Sequence, residues 1–360
     1  MKTKFTALLL FAYSISLTAQ TVITSYTPGI STEGAVYHLP KTAINISITT
    51  EKTTYTPGEL CQYSERFLRT SNVSDKEETY YTIKETTVDT EGLPDEKKLY
   101  HIRFSSHSIA PLVELTESGI LQSINTTQPQ ETETSSLSIT KEKSSKPTPH
   151  AYMTEEMLMT GSKAKLAELV AKEIYSIRES RSLILRGQSE SSPKDGEALQ
   201  IILKGLQEEE EALMQLFIGS ETTEVTTQTY QVIPEDNAEK VILGRFSRKL
   251  GLLHGDDLAG TPIYIDIKKK NETPSPVPAE EEQQSKKKKK KNNKQDGLVY
   301  NLPGKASVRI YTNTLTLFEG NLPFGQFGTT ETLSACLFRK NKDIKVTLSP
   351  TTGALLKVEE

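Results

Sequence analysis

The chain has 360 residues, 35% of them hydrophobic, with a mean hydropathy of −0.46. A prior of about 150 residues per domain then favours several modest cores over one large one. The formal charge of −4 hides an asymmetry, because residues 269–296 carry nine Lys against five acidic side chains, a net +4, and the remainder sums to −8. An acidic body with one basic segment disfavours non-specific nucleic-acid binding by the folded part on charge, and no specific nucleic acid is expected as a partner.

Residues 1–19 read as a secretory signal: Lys2 and Lys4 precede an apolar stretch from Ala7 to Leu17, and Ala19 before Gln20 offers a cleavage point. That stretch is too short to cross a bilayer as a mature helix, and no later apolar run approaches the ~20 residues such a helix needs. The expectation is an exported protein with no transmembrane segment in the mature chain. Export permits a disulfide between Cys61 and Cys336. Their spacing does not decide between a bridge and two small buried thiols.

Residues 20–125 read as a β-rich module, because Tyr and Thr are abundant and both favour strands. Its start carries an echo of a later segment. Gly34-Ala35-Val36-Tyr37-His38-Leu39-Pro40-Lys41-Thr42-Ala43 matches residues 297–306 at Gly, Val, Tyr, Leu, Pro and Ala, an offset of 263. Gln62-Tyr63-Ser64 faces Gln326-Phe327-Gly328 at offset 264, and the segment from Gly119 faces the one from Gly353 at offset 234. Collinear matches of this kind predict an internal duplication with about thirty extra residues in the first copy. Thr79–Phe104, two Tyr/Ile/Val-rich runs joined through Glu91-Gly92-Leu93-Pro94, reads as the added piece, a hairpin. Val113 to Leu121 and Val346 to Leu355 each read as strand, turn, strand, with Gly supplying the positive φ of the turn. Arg245 to Leu253 has the same form.

Residues 126–150, rich in Thr, Ser, Glu and Lys, read as a disordered linker. Residues 151–221 read as an αα-hairpin. Thr154 caps a helix whose stripe is Leu166, Leu169, Val170, Ile174 and Ile177, ending by Gly187. Ser192-Pro193 opens a second helix with Leu199, Ile202, Leu203, Leu206, Leu213, Leu216 and Phe217 as its apolar stripe, and Gly219 at C′. Glu208 to Glu211 read as its solvated side. Residues 222–268 are again β-rich. Residues 269–296 form a Lys-rich disordered loop between strands, and residues 297–360 complete the second β module. The fold class is α+β: antiparallel, sandwich-like β modules, internally duplicated, with an intervening αα-hairpin.

Chemistry is sparse. The chain has no Gly-x-Ser-x-Gly elbow, His-Glu-x-x-His helix, phosphate loop or Gly-x-Gly-x-x-Gly. Ser162 and Lys165 match Ser-x-x-Lys without its companion elements, which reads as solvated helix surface. His254, Asp256 and Asp257 form the most site-like cluster, an imidazole with two carboxylates, but no further ligand stands at a metal-binding spacing. His101 and His107 read as hydrogen-bonded or solvated. No catalytic residue, metal or cofactor is assigned. Lys286, Lys287, Lys288, Lys289, Lys290 and Lys291 offer a weak binding patch for an anionic partner, and the run lacks the aromatics that base stacking needs.

The segments Cys61-Gln62-Tyr63-Ser64-Glu65-Arg66-Phe67-Leu68, Ala110-Pro111-Leu112-Val113, Pro193-Lys194-Asp195-Gly196-Glu197-Ala198, Asp256-Asp257-Leu258 and Pro350-Thr351-Thr352-Gly353-Ala354-Leu355 resemble an uncharacterised family of exported Bacteroidetes envelope proteins. The family is a domain of unknown function, so it carries over no catalytic residue. The resemblance implies a Gram-negative envelope location, periplasmic or surface-associated, and the Lys run looks like a departure from the family. The leading expectation is a non-enzymatic binding or scaffolding module for an envelope protein or glycan. The alternatives are an exported hydrolase or glycan-processing enzyme around Asp256 and Asp257, and a polyanion or membrane-surface tether through Lys286–Lys291.

Overall fold

A computed structural model describes residues 22–25, 34–103, 112–127, 148–188, 196–270, 297–334 and 344–359. The short β1 (Val22–Ser25) is followed by β2 (Ala35–Thr56), in which Ile44, Ile46 and Ile48 are buried while Asn45, Ser47 and Thr49 keep partial exposure. That period of two is what a strand with one core face and one wet face requires. A 3-10 turn at Cys61–Tyr63 and α1 (Ser64–Leu68) lead to β3 (Glu78–Arg103). With β6 (Ser220–Val232) these strands form a sheet in the order β1-β3-β2-β6, antiparallel throughout.

β3 corrects one expectation, because residues 78–103 make a single strand along β2 rather than an added hairpin. The Gly92 and Pro94 signals have other causes. A Cβ on Gly92 would lie 2.0 Å from the Pro350 carbonyl oxygen, so glycine serves close approach of two backbones. Pro94 pairs with Pro40 where the register shifts, and residues 95–98 bulge opposite Leu39. Proline has no N–H for a ladder and is tolerated at such a bulge.

The third sheet strands, β4 (Val113–Leu115) and β5 (Leu121–Ile124), turn through Gly119 at φ +79°. A 3-10 turn at Pro149–Tyr152 and α2 (Glu155–Leu158) follow, and Thr154 Oγ1 accepts the Met157 N–H at 3.4 Å. The expected first helix breaks after Leu158 and resumes as α3 (Lys163–Leu185), with Gly161 in the gap. The stripe lies as predicted, with Val170, Ile174 and Ile177 buried. The Ser192-Pro193 cap lies outside the described residues. In α4 (Gly196–Ile218) Leu213, Leu216 and Phe217 are buried and form one cluster with the α3 stripe, Met157, Leu60 and Leu68. Each such side chain contributes ~1.5–3 kcal/mol on burial. Gly219, at φ +80°, ends α4, and a Cβ there would lie 2.4 Å from the Thr56 carbonyl oxygen. Glycine therefore lets the chain turn at once from α4 into β6 beside the end of β2. The solvated reading of Glu208–Glu211 fails at Glu210, which accepts from Arg178 Nε at 2.6 Å and lies 3.1 Å from Arg181 Nη1, tying α4 to α3.

A second large sheet holds β7 (Ala238–Ser247), β8 (Gly251–Leu253), β9 (Thr261–Lys269), β10 (Gly297–Tyr311) and β11 (Thr316–Ser334), antiparallel in the order β11-β10-β9-β7-β8. β9 and β10 thus flank the Lys-rich segment as paired strands. The β10–β11 ladder also shifts, and residues 325–328 bulge opposite Pro303. Ile44, Ile46 and Ile48 pack against Ile263, Ile265, Ile267, Val308 and Ile310 across the space between the large sheets. β12 (Lys345–Leu348) and β13 (Leu355–Glu359) complete the small sheet, in the order β13-β12-β5-β4, over a core with Tyr37, Leu39 and Leu298.

Candidate interaction surface

The residues singled out from sequence do not converge. His254 and Asp256 face each other at 3.2 Å (Nδ1 to Oδ2) on the turn after β8, with side chains 86% and 94% exposed. Asp257 is exposed as well, and its Oδ1 accepts the Ala259 N–H at 3.0 Å, an ordinary Asx turn. Among the described residues no group of three His, Cys, Asp or Glu side chains is placed to hold a metal ion. Lys286–Lys291, His107 and Cys336 lie outside the described residues. Cys61 carries a free, half-buried thiol. Lys165 pairs with Glu168 at 3.3 Å on the α3 surface, and Ser162 precedes the helix without a side-chain capping bond.

Buried polar groups gather elsewhere, where β2 meets β10 and β11. The Tyr37 hydroxyl donates to the Val299 carbonyl at 3.1 Å and accepts the Val299 N–H at 3.2 Å. Asn301 Nδ2 donates to the carbonyls of Pro40 (3.2 Å) and Thr352 (2.9 Å). Thr42 gives its N–H to Gln326 Oε1 at 2.8 Å, while Gln326 Nε2 donates to the carbonyls of Thr42 (2.8 Å) and Pro234 (3.0 Å). The Thr42 hydroxyl donates to the Thr351 carbonyl at 2.9 Å and accepts the Gly325 N–H. Burial pushes the Tyr37 phenol well above its ordinary range, against the opposing pull of its Val299 bond, so it stays a neutral donor. Beside this knot, Asp95 is buried and its carboxylate receives the Lys97 N–H at 3.1 Å and faces Lys41 Nζ at 3.7 Å. His38 Nδ1 lies 3.4 Å from the Asp95 main-chain oxygen, not its carboxylate. That arrangement fixes the bulge of β3 and does not make a carboxylate–imidazole pair for proton abstraction.

Neither Asp95 nor Asn301 stood out in the sequence. The signal that could have found Asn301 was the repeat itself, since Tyr37, His38, Val299 and Asn301 all lie in the echoed segments.

Exposed apolar side chains are spread over the described residues, and several stand on the helices. Beyond the Arg178–Glu210 pair, Leu183, Leu185, Ile201 and Ile202 stand on the far ends of α3 and α4, with Leu185 and Ile201 67% and 68% exposed. The opposite ends of both helices are packed into the core around Phe217 and Ile174.

The fold and these surfaces define a β-rich α+β protein, and no described helix is long and apolar enough to cross a membrane. Residues 33–356 match the model of a family described as a domain of unknown function, DUF4831, and the chain belongs to that family. No curated protein and no solved structure matches it.

Proposed function

We propose that the protein is an exported, non-enzymatic binding or scaffolding module of a Gram-negative cell envelope, periplasmic or surface-associated, acting on an envelope protein or glycan. The observation that carries this reading is the exposure of Leu183, Leu185, Ile201 and Ile202 at the far ends of α3 and α4, whose near ends are buried in the core. Export rests on the signal pattern of residues 1–19. The polar clusters support binding over catalysis, because Asp95, Thr42 and Gln326 and the Asn301 Nδ2 group spend their hydrogen bonds on the fold. Asp256 and Asp257, exposed on a turn, lend no support to a hydrolytic site.

The surface belongs to a helical hairpin inserted into a duplicated β module. Two matched sets of hydrogen bonds support that duplication. His38 N–H donates to the Gly119 carbonyl at 2.9 Å, and Asn301 N–H, its counterpart at offset 263, donates to Gly353 at 2.9 Å. The adjoining turns close alike, Thr116 N–H to Ile120 and Ser349 N–H to Ala354, both at 2.8 Å. A photo-crosslinking residue at Ile201, introduced in living cells, tests the binding surface: it captures a reproducible envelope component, and failure to do so removes the reading.

A further inference from the structure

Every sheet has two edges, and an open edge presents a row of unpaired N–H and C=O groups to any passing strand. Among the described residues the open edges other than β6 are short or guarded, including Glu78–Leu99 of β3 beyond the reach of β1, which carries Lys84, Pro94, Lys97 and Lys98. β1, β4, β8 and β13 have only four, three, three and five residues. β11 is long, but it carries Pro323 and the bulge at residues 325–328. β6 is different. It has 13 residues, pairs with β2 from Ser220 to Val232 without a register shift, and among the described residues has no strand on its other side. Residues 221–229 are exposed on both faces of the strand. It contains no Pro, Lys or Arg, the usual guards of an edge.

The composition of β6 selects its partner. Its only charges are Glu221 and Glu224, and Glu224 is already matched by Lys52 at 3.4 Å. Five of the other eleven residues are Thr, and on the outer face Ser47 bonds Thr229 at 3.0 Å and Thr49 bonds Thr227 at 2.9 Å, so hydroxyl ladders already run from β2 to the edge. Val225, 36% exposed, is the apolar residue at the middle of the strand.

We propose that β6 is the seam of a two-fold dimer of this chain, pairing antiparallel with β6 of a second copy about an axis through Val225. The two sheets then join as β1-β3-β2-β6 continued by its mirror order in the partner. Symmetry limits the register. A two-fold axis normal to the sheet keeps each residue opposite one on the same face, so the centre must fall on a residue. A centre on Glu224 would set that carboxylate against itself, and directly opposed like charges are destabilising. A centre on Val225 sets Val225 against Val225, Thr223 against Thr227, and Glu221 against Thr229. It covers the exposed valine, pairs hydroxyl with hydroxyl, and keeps every Glu away from another. This edge is separate from the far ends of α3 and α4, so the two proposals fail independently.

The test uses the whole chain with Cys61→Ser and Cys336→Ser. Sedimentation should give twice the monomer mass at micromolar concentration. Val225→Cys should form an intermolecular disulfide under mild oxidation, because facing residues sit ~4.5–5.5 Å apart at Cα, inside the disulfide range. Thr229→Cys, whose own copy is far along the opposed strand, should not. Val225→Lys, which sets two ammonium groups face to face, should weaken the dimer by roughly tenfold with an unchanged circular dichroism spectrum. A monomer at 100 µM, or a dimer that crosslinks through Thr229→Cys as readily as through Val225→Cys, overturns the seam (concentration scale from ordinary affinities, about micromolar or tighter).

Discussion

Tyr37 illustrates how a single side chain joins distant parts of the chain. Its hydroxyl both donates to and accepts from Val299, and its ring stacks on Tyr100 at 5.7 Å between centroids. Tyr37→Phe keeps the ring and leaves a buried carbonyl and N–H without a partner, a loss of about 1–3 kcal/mol. Urea unfolding should register it as a lower midpoint with an unchanged slope. Glu209 on α4 makes the opposite kind of case. Burial, and then the Glu173 carboxylate, raise its pKa. The folded state therefore holds this proton to higher pH than the unfolded chain does. Its favourable contribution is complete below the unfolded carboxylate range and is lost as pH rises through the folded value. Glu209→Gln should raise the melting temperature at neutral pH, and the gain should fade on acidification below the ordinary Glu range. An equal gain at every pH would point to packing instead of charge. Residues of this kind were the least legible in the sequence. The apolar stripe of α3 announces itself by spacing, whereas the roles of Asp95, Thr42 and Gln326 depend on strands far away in sequence.

Elements were legible where the signal was local. Gly219 after a helical stripe gave the end of α4, and Gly119, Gly251 and Gly353 take the positive φ expected of their hairpin turns. The reading failed where a local signal served a distant neighbour. Glu91-Gly92-Leu93-Pro94 has the composition of a turn, yet it lies inside β3, where Gly92 admits the Pro350 backbone and Pro94 sits at a bulge. The proposed match of Gln62 with Gln326 fails likewise, since Gln62 lies in a 3-10 turn and Gln326 in the bulge of β11. Glu210 was read as solvent-facing because its neighbours are acidic, but Arg178 and Arg181 on α3 draw it inward. Gly92→Ala follows from the close-approach account. The added methyl must push the Ser349–Gly353 turn away from β3, at about 1–3 kcal/mol for an overpacked site. Hydrogen exchange should then rise in β12 and β13 while α3 and α4 keep their protection. Unaltered exchange there would contradict the close-approach account.

At the scale of the whole molecule, the chain builds two large sheets face to face, a small sheet contributed by both halves, and a helical layer at one end of β2. The small sheet is what makes the halves interdependent, because β5 pairs with β12 across more than two hundred residues of sequence. This explains why a composition of modest hydrophobicity suffices: three local clusters each close on elements from distant parts of the chain. The β-rich α+β class was legible from strand alternation and helical stripes, while the way the sheets share strands was not. The account of function rests on the exposed aliphatic side chains at the far ends of α3 and α4. Site-specific photo-crosslinking in cells compares Ile201 with Leu258, an equally apolar residue that is 82% exposed on the turn before β9. The account predicts that Ile201 captures a defined envelope component and Leu258 does not. Equal capture from both positions, or none from Ile201, would contradict it.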